Sequence, residues 1–572
     1  MHDLVIRGGL IIDGSGASRE TGDIAIKDGK LAEVGGKIGP GRREIDADGL
    51  LVTPGWVDIH THYDGQATWD PELASSSWNG STTILFGNCG VGFAPVRTKH
   101  HDALIDLMEG VEDIPGIALA EGLSWDWESF PEYLDALERQ DRVIDVGAQM
   151  PHHALRVYVM GERAIRHEPA TAEDIKVMAK LTEEALLAGA FGFTTSRTDS
   201  HKTTSGDFVP GRYSETEELI GIGRSLGKVG RGAFGMISDF EDEEAEFKWM
   251  RELGAEIRRP IWFLLTDRSH DPERWKRLMA GAKISKAQGA SITAQIAGRS
   301  VGLILGLTTS LTPFSVRSSF NALENLSQED KLAKLRDPVV RSTILKEEVS
   351  ADLLSILPPL TQAIATRWDR MYPLGDPPNY EPTADQSVQA LSGKEGKSPE
   401  EFAYDYLTGG DGNRKFLFPV TNYVSGDLEP VREMLADPDT LLGLSDGGAH
   451  VGLISDASVP SFMLSHWGRD RSRGDKFAVE WLVKRQTSET ADFFGFTDRG
   501  RLQIGKKADL NIIDFDNLRP RMPEIVNDLP AGGKRLVQRV DGYEATIVSG
   551  EPIFEKGEST GARPGKLVRS VA

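Results

Sequence analysis

The stretch Thr53-Pro54-Gly55-Trp56-Val57-Asp58-Ile59-His60-Thr61-His62 decides how the rest of this chain is read. Pro54-Gly55 punctuates the start of a short strand, Trp56, Val57 and Ile59 make it apolar, and Asp58 is the single charge inside it. Successive side chains in a strand alternate faces, so residues two apart point the same way, about 6–7 Å apart along the chain. His60 and His62 can therefore send two imidazoles into one volume, as two ligands of one metal must. A bare His-x-His is more often an ordinary pair in a polar turn. The apolar strand in front of this one favours metal binding.

Upstream, residues 1–52 read as short strands (4–6, 10–12, 23–26, 30–34, 44–46) with turns at Asp13-Gly14, Asp28-Gly29 and Asp48-Gly49. The far end repeats the texture at 508–514 and 545–550. Such strands cannot bury a face alone, so residues 1–52 and 500–572 are expected to pair into one small composite β-sandwich. Between them, over 53–499, strand-like and helix-like segments alternate, the pattern of a parallel α/β sheet. Strands are expected at 53–60, 81–88, 143–149, 191–196, 231–237, 260–266, 291–296 and 441–446. A helix should start at Ala172 and stop at Gly189. Eight such units predict a (β/α)8 TIM-like barrel, with its chemistry at the carboxyl ends of the strands. Residues 297–440 are too many for one loop. They read as an insertion over the barrel mouth, either a lid or a packing element, with helical pattern at 328–336 and 339–349 and a mobile polar run from Gly375 to Ser398.

Composition narrows the function. With 39% hydrophobic and 27% charged residues, the 572-residue chain is an ordinary globular one. Its net charge of −22 argues against a nucleic-acid partner, which needs clustered Lys and Arg. The single cysteine, Cys89, excludes an internal disulfide. No basic-then-apolar leader and no long apolar window is seen, so the expectation is a cytoplasmic protein with no membrane partner. The sandwich and the insertion offer surfaces for self-association into a homo-oligomer.

Two more segments carry donors. An apolar strand runs into Gly87-Asn88-Cys89-Gly90, which places the thiol at its carboxyl end. A lone cysteine can be an inert hydrophobe, a nucleophile or a metal thiolate, and thiolate with imidazole suits zinc. The run Leu441-Leu442-Gly443-Leu444-Ser445-Asp446-Gly447-Gly448 delivers a carboxylate to a loop, unless Asp446 is a turn or cap residue. In a closed barrel the eighth strand neighbours the first, which neighbours the second. Asp446, His60, His62 and Cys89 could then meet around one ion.

The Pro-Gly-Trp-Val-Asp-Ile-His-Thr-His segment resembles the first-strand signature of the amidohydrolase superfamily. Tyr63-Asp64 and Gly87-Asn88-Cys89-Gly90-Val91 resemble its branch of N-acyl-D-amino-acid deacylases. The resemblance implies a barrel flanked by a β domain made from both termini. It also implies Cys89 in place of the carboxylated lysine that bridges metals elsewhere, and Asp446 as both metal contact and proton acceptor. His152, in Pro151-His152-His153-Ala154-Leu155-Arg156, matches the histidine of a family Gly-His-x-x-Leu-Arg segment, with a role at the substrate carbonyl or a structural one.

The chain also departs from the pattern. The family carries metal-binding histidines after strands 5 and 6, where this sequence has Met236 and the run Ile261 to Asp267, with His270 displaced into the loop. Strand 7 lacks the tyrosine-rich version. One zinc ion is therefore expected rather than two. His201 and His450 are candidates to replace a ligand or contact substrate. Arg197 and Arg299 are candidates to grip a substrate carboxylate, since guanidinium forks match that group.

The expected chemistry is metal-assisted hydrolysis of a linear amide in a small molecule, with Asp446 as general base and then acid. The rivals are a cyclic-amide hydrolase of the hydantoinase or dihydroorotase type, and a barrel that has lost part of its metal site and serves as a scaffold.

Overall fold

The computed structural model describes residues 1–571. Eight parallel strands form the barrel: Trp56–Asp58, Ser81–Phe86, Asp145–Ala148, Gly192–Arg197, Ala233–Ser238, Ile261–Leu265, Ile292–Ala297 and Thr440–Leu444. Closure is made by the backbone: Asp446 N donates to His60 O (3.1 Å) and His62 N to Gly447 O (2.7 Å). The eighth strand thus lies beside the first. On the other side, Phe191 N donates to Ala148 O at 2.9 Å and joins the third strand to the fourth.

The helices follow local sequence rules. Ala172–Ala188 opens on Thr171, whose side chain and that of Asp174 form a reciprocal capping box, and it stops at Gly189 with φ 119°.

Both termini share one nine-stranded sheet, in which Leu51–Pro54 pairs with Leu510–Ile513. The expected first barrel strand, 53–60, is therefore divided. Thr53 and Pro54 belong to the terminal sheet, and the chain crosses into the barrel at Gly55. A Cβ there would lie 2.2 Å from the Thr82 side chain, so only glycine fits. The expected strands 4–6 and 10–12 are one strand, His2–Ile11, with an irregularity where Gly8 adopts φ 65°. The last residues leave the sheet: Gly565 N donates to Arg142 O and Val568 N to Val146 O, against the barrel.

Residues between strands 7 and 8 have a core of their own, including Leu303, Leu305, Phe314, Trp368, Phe416 and Phe418. It is built on a three-stranded antiparallel sheet and short helices, Gln328–Leu335 and Pro338–Lys346 among them. The run from Gly375 to Ser398, expected to be mobile, is pinned instead. Glu381 is buried on Arg471 and His466, Tyr380 Oη donates to Gln538, and a helix forms over Val388–Glu395. Composition misleads here because the polar groups of this run find buried partners far away in sequence.

Among the described residues, no helix is long and apolar enough to cross a membrane.

Candidate active site

The carboxyl ends of strands 1, 2 and 8 bring His60, His62, Cys89 and Asp446 together. One donor atom each from His60, His62 and Cys89 lies within 4.8 Å of the others, and all three residues are buried. His60 Nε2 is 3.5 Å from Cys89 Sγ. Asp446 Oδ1 is 3.3 Å from His62 Nε2 and 3.8 Å from His60 Nε2.

The local backbone is bent to achieve this. Cys89 (φ 54°) sits in the left-handed region between Gly87 and Gly90, which are also left-handed, and Asp446 has φ 52°. The Cys89 turn is held from strand 4, where the Thr194 hydroxyl donates to Gly87 O and accepts from Gly90 N. The Asn88 amide ties it to Thr61 O and Leu85 O, each at 3.1 Å.

Two further side chains complete the cluster. Gln295, from strand 7, places Oε1 2.5 Å from His60 Nδ1. An amide oxygen can only accept, so Nδ1 carries the proton and the Nε2 lone pair faces Cys89 and Asp446. Glu112, the last residue of the helix His101–Glu112, places Oε1 3.2 Å from His62 Nδ1. Neither is marked by a motif. The available signal was a polar residue in a buried stretch: Gln295 inside Ile292–Ala297, and Glu112 beside the apolar face Leu104, Leu107, Met108, Val111.

Burial lowers His60 to about 4, against the pull of Asp446. For His62 burial acts the same way, but Glu112 and Asp446 outweigh it and hold the imidazole well above its ordinary value. The same histidines hold the buried Asp446 below the ordinary carboxylate range, although burial opposes them. Burial pushes the Cys89 thiol up to about 11.

The remaining candidates divide. His201 donates or accepts at Ser196 Oγ (2.9 Å); burial, with the nearby His450 and His62, pushes it down to about 3. It is thus a neutral imidazole within electrostatic reach of Asp446. His450 (φ 47°) has Nε2 3.8 Å from Asp446 Oδ2 and 3.7 Å from Glu112 Oε2, and is partly exposed at the mouth. His152 is buried with both ring nitrogens engaged, Nδ1 with Thr195 Oγ1 (2.7 Å) and Nε2 with Glu218 Oε1 (2.9 Å). It has no nitrogen left for a substrate carbonyl.

Neither arginine is free to clamp a carboxylate. Arg197 is paired with Glu246 at 2.9 Å. Arg299 is buried on Asp456 (2.8 Å), with its guanidinium 3.9 Å above the Tyr380 ring. Burying an unpaired guanidinium is costly, so the buried Arg299 takes an internal acid, and the partly buried Arg197 is likewise spent on Glu246.

The positions of the missing histidines are filled by core. Met236 is buried in strand 5, paired in register with Thr195 and Phe263. His270 is exposed beside Arg274. Trp262, from strand 6, packs edge-on against His60, 5.7 Å between ring centroids.

Donors gathered at the carboxyl rim of a closed parallel barrel define the class: a (β/α)8 protein with candidate metal ligands at its mouth. Within that class the chain belongs to the amidohydrolase family, whose model matches residues 43–554. It is 25% identical to the D-aminoacylase of Alcaligenes xylosoxydans xylosoxydans over 100% of this chain and 98% of that protein. Among solved structures, a D-aminoacylase with a binuclear metal centre superposes with a TM-score of 0.65 at 21% identity, covering both chains fully. The N-acyl-D-glutamate deacylase of Bordetella bronchiseptica, solved with zinc and a phosphonate inhibitor, superposes with a TM-score of 0.64 at 22% identity, again over both full chains.

Proposed function

We propose that this chain is a metal-dependent hydrolase that cleaves the C–N bond of a linear N-acyl amide, with the N-acyl-D-amino acids as the first substrate class to try. The observation that carries the reading is the buried cluster of His60, His62 and Cys89 at the barrel rim, with the Asp446 carboxylate beside the two imidazoles. A tetrahedral zinc site with bonds of about 2.0–2.3 Å has neighbouring donors about 3.3–3.6 Å apart. The 3.3 Å from His62 to Asp446 and the 3.5 Å from His60 to Cys89 match that spacing, and the 3.8 Å from His60 to Asp446 is slightly longer. Two imidazoles, a thiol and a carboxylate are also a donor set that zinc prefers.

His60 Nε2, His62 Nε2, Cys89 Sγ and Asp446 Oδ1 would hold one ion. Strands 5 and 6, Ala233–Ser238 and Ile261–Leu265, carry no histidine at their carboxyl ends, which supports one ion rather than two. Bound there, zinc supplies a Lewis acid that acidifies water and polarises a carbonyl.

The protein's own residues supply the proton transfers. Asp446 is ionised and aimed into the mouth. It accepts a proton from the attacking water and returns it to the departing nitrogen. His201, neutral and held through Ser196, positions the scissile carbonyl, and His450 lines the same space. Buried rings such as Trp262 keep the floor of the site dry, which strengthens every charge interaction in it.

Metal analysis of purified protein should give about one zinc per chain. Chelation should abolish hydrolysis of a panel of N-acyl-D- and N-acyl-L-amino acids and aryl amides, and zinc should restore it. Protein that binds no metal, or hydrolyses amides equally well after chelation, overturns the proposal.

A further inference from the structure

We infer that Glu112 is a positioning residue for the metal centre: it takes the Nδ1 proton of His62 and so directs Nε2 toward the shared ion. The inference rests on the one-zinc reading above and adds to it a residue outside the four donors.

The carboxylate is buried, and Oε1 lies 3.2 Å from His62 Nδ1. The contact is a close charge pair: His62 Nδ1 has no aligned hydrogen-bond partner, and neither has the second oxygen, Oε2, which lies 3.7 Å from His450 Nε2. A buried, ionisable oxygen pair between two histidines of one site is costly to keep unless those histidines use it. A metal-ligating histidine typically donates its other ring N–H to a carboxylate, which fixes ring orientation and raises its donor strength. Glu112 stands where that partner belongs.

The end of its helix is also fastened to the strand-8 loop. Val451 N donates to Glu112 O at 3.3 Å. The next residue, Asp113 (φ 54°), accepts from Gly452 N and from Ser310 Oγ, each at 3.2 Å. One helix terminus therefore touches the His-x-His segment and the loop that carries Asp446 and His450. Placement of the donors from strands 1 and 8 is coupled through it.

The test is zinc affinity of metal-free protein, measured by competition with a chromogenic chelator, for wild type, Glu112→Gln and Glu112→Ala. Glu112→Ala should weaken zinc binding about 10–100-fold. Glu112→Gln keeps an acceptor oxygen without the charge and should lose less. Equal affinities in all three overturn the inference. A second measurement needs no variant: ¹⁵N NMR of zinc-loaded, histidine-labelled wild type should show His62 protonated at Nδ1, and a proton on Nε2 overturns the inference. Wild type that takes up no zinc would remove the hydrolytic reading together with this one; zinc binding indifferent to Glu112 removes this one alone.

Discussion

The sulfur of Cys89 lies 3.5 Å from Nε2 of His60, on neighbouring barrel strands 29 positions apart in the chain. A thiol pushed up to about 11 by burial has no reason to ionise unless a cation joins it. Cys89→Ser should therefore cost zinc affinity by at least tenfold while metal-free stability changes little. Chelator competition and thermal melting separate the two, and unchanged affinity would remove Cys89 from the ligand set.

Asp446→Asn tests the proton acceptor. His60, His62 and Cys89 remain, so the variant should fold and keep zinc, while kcat falls about 10²–10⁴-fold. Wild-type turnover in the zinc-loaded variant would assign the proton transfer to another group.

Gln295→Met keeps the side-chain length but removes the acceptor for His60 Nδ1–H. A buried donor left unpaired costs about 1–3 kcal/mol. Urea unfolding of the metal-free protein should show that loss, accompanied by weaker zinc binding.

Glu218 gives a pH prediction. Burial alone would raise its carboxyl, but His152 and Arg156 outweigh it and hold it at about 2 against an ordinary 4.5. Because the folded value is the lower one, its stabilisation is complete above about pH 4.5 and fades as pH falls toward 2. The loss is at most about 3 kcal/mol over that window. Glu218→Gln should be less stable than wild type at pH 7, and the gap should close near pH 2–3 in denaturant titrations.

Strand packing gives the last test. A Cβ on Gly235 would lie 2.2 Å from the indole of Trp262. Gly235→Ala should destabilise by about 1–3 kcal/mol. In a Trp262→Leu background the same substitution should cost far less, as a double-mutant cycle of melting temperatures would show.

Much of the scaffold was readable in one dimension because its signals are local. Most of the barrel segments show as short apolar runs ending in polar or glycine residues, and the helix at 172–188 carries its cap at one end and its glycine at the other. The site was readable only in part. His-Thr-His announces itself by spacing, and Cys89 and Asp446 by their position at strand ends. Glu112 and Gln295 carry no spacing rule; they matter only because of what folds against them. Arg197 and Arg299 mislead for the same reason, since their acids, Glu246 and Asp456, are 49 and 157 residues away.

What the sequence determined by itself was the alternation of strand and helix, the joining of the two ends and the donor types available. These follow from backbone periodicity and side-chain chemistry, which act over a few residues. Only the tertiary structure decided which nitrogen of each histidine faces the centre and which charges are already spent on internal partners. Those outcomes depend on burial, and burial exists only once distant segments have closed around one another.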